Sequence, residues 1–328
     1  MTPGSDDLPL CNPKEVIMSH ARRQRPNGSA ARSRSAAARA TPGPGRHRSI
    51  VELYRGWLIS GIVAVVAVAV IAILVLKFGP SNSGKDAAAG AQPADPGLVA
   101  TITGVPTATF DSIGVGSAAN LPRALPSTAS ALQKDGKPEL LYIGAEYCPY
   151  CAAQRWALMV ALSRFGSFSN LHTTRSAAND AYPNTPTFTF YNAQYASQYL
   201  AFVAVEQTTN QPKGNGGYTS LQSLDADQQG LLGQYDRPPY TDSVGGIPFT
   251  DYGGKYVHVG AMYDPGLLAG KDWNQIATLL TDPASAQAKA ILGSANLVSA
   301  TICRMTGGQP GNVCQSAGVQ AAAAKSGG

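Results

Sequence analysis

Apolar and polar positions change character twice along the chain. Residues 1–56 carry no helical or strand period and interleave Arg with Ala, Ser, Gly and Pro, the pattern of a disordered tail. Leu58 to Leu76 is then an uninterrupted run without a charged residue. As a helix it is about 28 Å long, enough to cross a bilayer core. With Tyr54 and Trp57 on one side and Lys77 on the other, it predicts a membrane helix over 57–77. Residues 78–97 are small and rich in Pro and Gly and read as a spacer. From Leu98 to about 315 the pattern is that of a folded domain, and 316–328 reads as a frayed tail.

Within the domain, Glu139–Gly144 predicts a short buried strand. Leu158, Met159, Leu162 and Phe165 recur at helical spacing and predict a helix over 151–165, ended by Gly166, with Trp156 and Met159 in the core. A strand near 170–174 would complete a strand–helix–strand unit. Segments 187–191 and 200–205 read as further strands, 211–217 as a polar loop, and 220–235 as a helix. Residues 245–261 read as a β-hairpin turning at Gly253-Gly254, with Pro248 at the head of its first strand, where a missing N–H is tolerated. Asp272–Leu280 reads as a helix, and Asp282-Pro283 as the start of another running towards Ser299. The class is α/β, with no internal repeat.

Charge sharpens the picture. Ten Lys and Arg precede residue 57 against four acids, so the net +5 of the 328-residue chain sits in the tail and the body is close to neutral. Arginines crowding the N-terminal flank orient the span, leaving that flank in the cytoplasm and the domain outside. A cleaved signal peptide is the competing reading, but the charged leader is too long and the run exceeds an h-region. The tail has no aromatic interleaving, so no nucleic-acid partner is expected. Met18, followed by a basic stretch, is an alternative start.

Export changes how the cysteines read, because disulfides persist outside the cytoplasm. Cys148, Cys151, Cys303 and Cys314 form two local pairs, consistent with two disulfides. Cys148-Pro149-Tyr150-Cys151 lies where a strand gives way to a helix. There the first sulfur, exposed at the positive end of the helix dipole, is favoured as thiolate, and the second can resolve a mixed disulfide. A passive disulfide and a zinc site with Cys303 and Cys314 are the alternatives; the Cys303–Cys314 spacing suits zinc poorly, and no metal is expected. Cys303 and Cys314 read as a staple closing the turn at 307–311, the alternative being a second redox pair. Glu146 reads as an exposed loop carboxylate, or as a proton acceptor for Cys151. His258, between two valines on a strand, reads as exposed.

A strand ending in Cys-x-x-Cys, a helix, then Ile247-Pro248 opening a hairpin and a C-terminal helix resembles the thioredoxin-like superfamily. Cys-Pro-Tyr-Cys is similar to the glutaredoxin tetrapeptide, and Ile247-Pro248 with Gly253-Gly254-Lys255 resembles the cis-proline hairpin. With the N-terminal span, the whole looks like a membrane-anchored thioredoxin-like protein of a domain-of-unknown-function family. The resemblance implies a thioredoxin-like fold over 98–315 with a large insertion between the CxxC helix and the hairpin, between Asn192 and Thr241. It implies Cys148 and Cys151 as the redox pair, and Pro149, Tyr150, Ile247 and Pro248 as substrate-facing residues.

The expected function is a single-pass membrane-tethered thiol–disulfide oxidoreductase, acting on exported cysteine-containing proteins through a mixed disulfide on Cys148. No cofactor is expected, since glutathione chemistry does not carry over to an exported domain. By analogy, a membrane quinone-linked redox protein would reset the pair. The contrasting expectation is a binding or scaffolding module that keeps the fold with structural disulfides only.

Overall fold

The computed structural model describes residues 90–214 and 216–326. The basic tail and the span expected at 57–77 lie outside the described residues. Among the described residues no helix is long and apolar enough to cross a membrane.

The packed structure begins before Leu98. Strand β1 (Gln92–Pro93), inside the stretch expected as a spacer, pairs with His172 and Thr173. Asp95 caps α1 (Pro96–Thr103), its carboxylate accepting from the Leu98 amide at 2.9 Å. Helix α2 (Thr107–Ile113) buries Phe110. Then come β2 (Arg123–Ala124), β3 (Gln133–Lys134) and β4 (Lys137–Gly144), whose six residues from Glu139 to Gly144 are buried on both faces.

Helix α3 (Pro149–Leu162) starts two residues earlier and stops three earlier than the periodicity suggests. Gly166 does not end the helix but opens β5 (Gly166–Ser169). Next are β6 (His172–Arg175), β7 (Pro186–Thr189), β8 (Gln194–Ser197) and β9 (Ala201–Glu206). The expected strand–helix–strand unit closes through a different strand. β6 pairs antiparallel with β7 and β1 in a small separate sheet, while the parallel neighbour of β4 is β9, from Glu139↔Ala201 to Gly144↔Glu206. A parallel strand covered on both faces must be apolar throughout, which Phe202-Val203-Ala204-Val205 satisfies and His172-Thr173-Thr174-Arg175 does not.

The polar stretch expected as a loop is the tip of a hairpin, β10 (Thr208–Pro212) with β11 (Tyr218–Ser220). Helix α4 (Ala226–Tyr235) therefore starts after Ser220, at an Asp225–Gln228 capping box. The hairpin of β12 (Phe249–Tyr252) and β13 (Tyr256–Val259) forms as expected, with Gly253 and Gly254 both at φ +69°, a conformation that side chains with a Cβ rarely adopt.

The central sheet runs β2-β13-β12-β4-β9, with β3 on the start of β4. Alternation divides its residues between two faces. Leu140, Tyr142 and Tyr252 face the core shared with α3, with α5 (Trp273–Leu280), and with α6 (Ala286–Met305). Leu141, Ile143, Val205, Phe249 and Val257 face a second cluster that includes Tyr235 of α4. Helix α6 is capped by Ser285, not by Asp282-Pro283, and runs beyond Ser299 to Met305. A Cβ at Gly293 would meet the Val115 carbonyl at 2.2 Å, so this glycine lets the chain cross α6 closely. After α7 (Gly311–Cys314), the tail expected to fray forms α8 (Ala317–Lys325), which buries Val319 and Ala322. The Gly318 amide donates to the Asp111 carboxylate of the α2 helix at 2.8 Å. The whole is a mixed α/β fold.

Candidate functional site

The motif sits at the carboxyl end of β4. Cys148 is the N-cap of α3, with extended backbone angles of −76° and 124°, and Pro149 takes the first helical position, where its missing N–H costs nothing. The Cys151 amide points at the Cys148 sulfur, N to Sγ 3.4 Å. Across the site, the Ile247–Pro248 peptide is cis, and the Ile247 carbonyl oxygen lies 3.9 Å from Cys148 Sγ. Four of the residues expected from sequence, Cys148, Cys151, Tyr150 and Ile247, thus share one cluster, joined by Ala145, Tyr147, Ala177 and Tyr218. Pro248 leads directly into β12, which pairs with β4 through Phe249↔Ile143.

Two expectations about the thiols are corrected. Cys148 is buried, not exposed. Aromatic rings pack around the motif: Tyr147 stacks on Tyr218 of β11 at 4.2 Å, and Tyr150 meets Tyr182 edge-on at 6.0 Å. Cys151 is a free, buried thiol, so the motif cysteines are not joined to each other in this structure. It turns inward, and burial pushes its thiol up to about 12, despite the opposing pull of Arg155.

Beneath Cys151 lies an ion pair that the sequence reading missed. Arg155, one turn further along α3, is fully buried with Glu206 at the end of β9. Nε and Nη2 reach the two carboxylate oxygens at 2.8 and 2.6 Å, and Nη2 also donates to the Ala145 carbonyl at 2.7 Å. The Phe190 amide adds a bond to Glu206 Oε1 at 3.3 Å. Burial works most strongly against the guanidinium charge, but the charge and hydrogen bonds of Glu206, with Tyr142 and Cys151 adding to them, hold Arg155 above its ordinary value. The signal was in the sequence: an arginine among Ala152, Trp156 and Met159, on a helix apolar all round, needs a buried partner.

Glu146 is also buried rather than exposed, because its amide is tied to the Thr208 carbonyl at 2.9 Å under the β10–β11 hairpin. Burial raises its carboxyl above the usual range, with Thr189 opposing. His258 is likewise buried, since β13 lies between β2 and β12. Burial lowers its imidazole to about 3, leaving it neutral at physiological pH. Far from the motif in sequence, Cys303 and Cys314 are disulfide-bonded to each other with Cα atoms 5.7 Å apart, joining the end of α6 to α7. Among the described residues no group of three or more His, Cys, Asp or Glu converges as a metal site would require.

Residues 127–304, more than half of the chain, match the family model described as a domain of unknown function, DUF929. The chain belongs to the DUF929 family. No curated protein and no solved structure matches it. The DUF929 match takes in Cys148, Cys151, Arg155, Glu206, Ile247, Pro248 and Cys303, and stops short of Cys314. The Cys-Pro-Tyr-Cys motif and the hairpin that faces it therefore lie inside the DUF929 region, while the disulfide to α7 straddles its end.

Proposed function

We propose that this DUF929 protein is a thioredoxin-like thiol–disulfide oxidoreductase, tethered to the cell membrane by residues 57–77, with its domain outside the cytoplasm. The observation that carries the reading is the meeting of Cys148, at the first turn of α3, with the Ile247 carbonyl 3.9 Å away at the head of the β12–β13 hairpin. A β4–α3–β9 crossover, a hairpin antiparallel to β4, and α6 on the same face as α3 support a thioredoxin-like architecture. Much of the segment from Asn192 to Thr241 would be its insertion.

In the oxidising direction the reactive form is the Cys148–Cys151 disulfide. A client thiolate attacks Cys148 Sγ; the bond to Cys151 breaks, and Cys151 leaves as a thiolate that takes up a proton. A second client thiolate then attacks the mixed disulfide and expels Cys148. The client loses two electrons and the motif gains them. With a thiol pushed up by burial, Cys151 is reprotonated once released, which favours the dithiol product. Pro149, Tyr150, Ile247 and Pro248 frame the place for the client backbone, with Tyr150 and Ile247 half-buried and both prolines buried. Clients are exported cysteine-containing proteins, and a membrane quinone-linked redox protein returns the motif to the disulfide. Run in reverse, the same steps reduce or isomerise client disulfides.

Cys151→Ala should leave client proteins disulfide-trapped on Cys148, and Cys148→Ala should abolish them. No trapped client, together with a motif disulfide that resists mild reductant, would sink the reading. It would leave the second one, a non-catalytic binding module, which draws on the burial of Cys148.

A further inference from the structure

Tyrosines and carboxylates share the rim of the site around Cys148. The loop 176–185 is closed on itself, with Ser176 Oγ donating to the Tyr182 carbonyl at 3.0 Å and the Asn184 amide to the Ala177 carbonyl at 3.2 Å. It is laid against the motif by the Ala177 amide, which donates to the Tyr147 carbonyl at 2.8 Å. The loop thereby reaches the rings packed around the thiols. Tyr182 meets Tyr150 edge-on. Asn179 Oδ1 accepts from the Tyr218 hydroxyl at 3.0 Å, which sets the next residue, Asp180, beside the Tyr147–Tyr218 stack. Asp264 completes the rim from a different part of the chain. It caps the short 3-10 turn Pro265–Leu268, its Oδ1 accepting from the Gly266 amide at 2.8 Å. A Cβ on Gly266 would lie 3.1 Å from both Asp264 Oδ1 and Tyr182 Cε1, so this carboxylate stands close to the Tyr182 ring.

We infer that the rim formed by Tyr150, Tyr182, Asp180 and Asp264 selects clients that carry a Lys or Arg close in sequence to the reacting cysteine. The inference rests on the thiol–disulfide reading and adds to it the chemical class of the client; the electron transfer is unchanged. A cation is attracted to the face of a tyrosine ring and to a carboxylate beside it, and both attractions strengthen where water is partly excluded. Tyr150, Tyr182 and Asp180 are half-buried and Asp264 is exposed, so the rim admits an incoming side chain and is still partly dry. Among the described residues the ion pairs are Arg123–Asp242 and Arg155–Glu206. Neither Lys213 at the tip of the β10–β11 hairpin nor Lys271 beyond the turn is therefore paired with Asp180 or Asp264. Two of the arginines lie over other rings, Arg164 over Phe110 and Arg175 over Trp273, both at 4.4 Å. After burial, the charges that raise the Tyr150 phenol are those of Asp264 and Asp180, and the charge that raises the Tyr218 phenol is that of Asp180. The same field that draws in a cationic client segment repels an acidic one.

The test uses the full-length protein with its motif oxidised and three dithiol peptides that differ only in the residues flanking one cysteine, which are Lys, Gln or Glu. Each peptide gives two electrons to the motif and leaves as its own disulfide. Each kcat/KM is divided by that peptide's rate with a small uncharged disulfide, which cancels the effect of the flanking charge on its own thiol. At low salt the Lys peptide should exceed the Glu peptide by about tenfold, with Gln between, and the gap should close to about twofold near 0.5 M salt. Asp264→Asn, which keeps a cap on the turn, and Asp180→Asn should each narrow the gap, and together they should remove it. Asp227→Asn, at an exposed position on α4, should leave the gap as in wild type. Equal values for the three peptides, a preference for Gln or Glu, or a gap that survives the double substitution overturns this inference alone. A protein that no peptide reduces overturns the oxidoreductase reading and this inference with it. Should the aspartate variants not fold, the salt dependence of the wild type decides, and a gap that stays constant with salt overturns the inference.

Discussion

Arg155 and Glu206 meet in a two-pronged ion pair with both side chains fully buried, one helical turn below Cys151. The pair ties α3 to the end of β9 and so fixes the helix that carries the motif to the strand that runs parallel to β4. Breaking it strands a charge in the core. Arg155→Met or Glu206→Gln should each cost about 3–5 kcal/mol in chemical denaturation, while Arg155→Met with Glu206→Leu should lie closer to wild type than either. Additive losses in the double variant would contradict this account of the pair.

The two motif thiols should differ sharply in reactivity. Burial holds the Cys151 thiol up to about 12, so at pH 8 only about one part in ten thousand is thiolate. In the reduced protein, brief alkylation at pH 8 followed by mass spectrometry should find the label on Cys148 and almost none on Cys151. Equal labelling would refute the assignment of nucleophile and resolving cysteine.

Stability should fall with rising pH at one identifiable carboxyl. Asp251 on β12 is fully buried; burial raises it to about 6, although its Oδ1 accepts from the Gly254 amide at 2.6 Å. A raised folded-state value means that the folded protein holds the proton more tightly than the unfolded chain. Its contribution is therefore complete below about pH 4 and is lost as pH rises through about 6. Asp251→Asn should gain about 2–3 kcal/mol relative to wild type between pH 4 and pH 8, read from urea melts at both. A difference that does not change with pH would show that Asp251 does not titrate this way.

The Cys303–Cys314 disulfide should act as a staple and not as a relay. Cys303→Ala should lower stability by about 3 kcal/mol in the chain-entropy account, yet leave trapping of clients on Cys148 intact at low temperature. Loss of trapping from a folded variant would favour an electron relay.

The motif and its surroundings were legible to different degrees. Cys148-Pro149-Tyr150-Cys151 announced a helix start, because Pro at the first helical position and a strand of apolar residues before it are local signals. The hairpin was equally plain, since Gly253-Gly254 between alternating residues leaves few other conformations. Glu146 and His258 misled because burial is set by what packs on a residue from far along the chain. The β10–β11 hairpin covers Glu146, and β2 covers β13, neither adjacent in sequence. The α1 and α8 helices were missed for a related reason: both are short and rich in small residues, and each is held by a contact with a distant element.

By itself, then, the sequence determined the local geometry: a capped helix start carrying two cysteines, an Ile-Pro hairpin, a stapled C-terminal turn and an uncharged run of membrane length. Each depends on backbone preferences or on spacing within a few residues. Only the tertiary structure decided that β9 rather than β6 lies beside β4, that Arg155 has Glu206 as its partner, and that the Ile247 carbonyl faces Cys148. Those pairings join residues tens of positions apart, and burial is what makes each partner obligatory, because a polar group taken from water must find its match wherever the fold brings one.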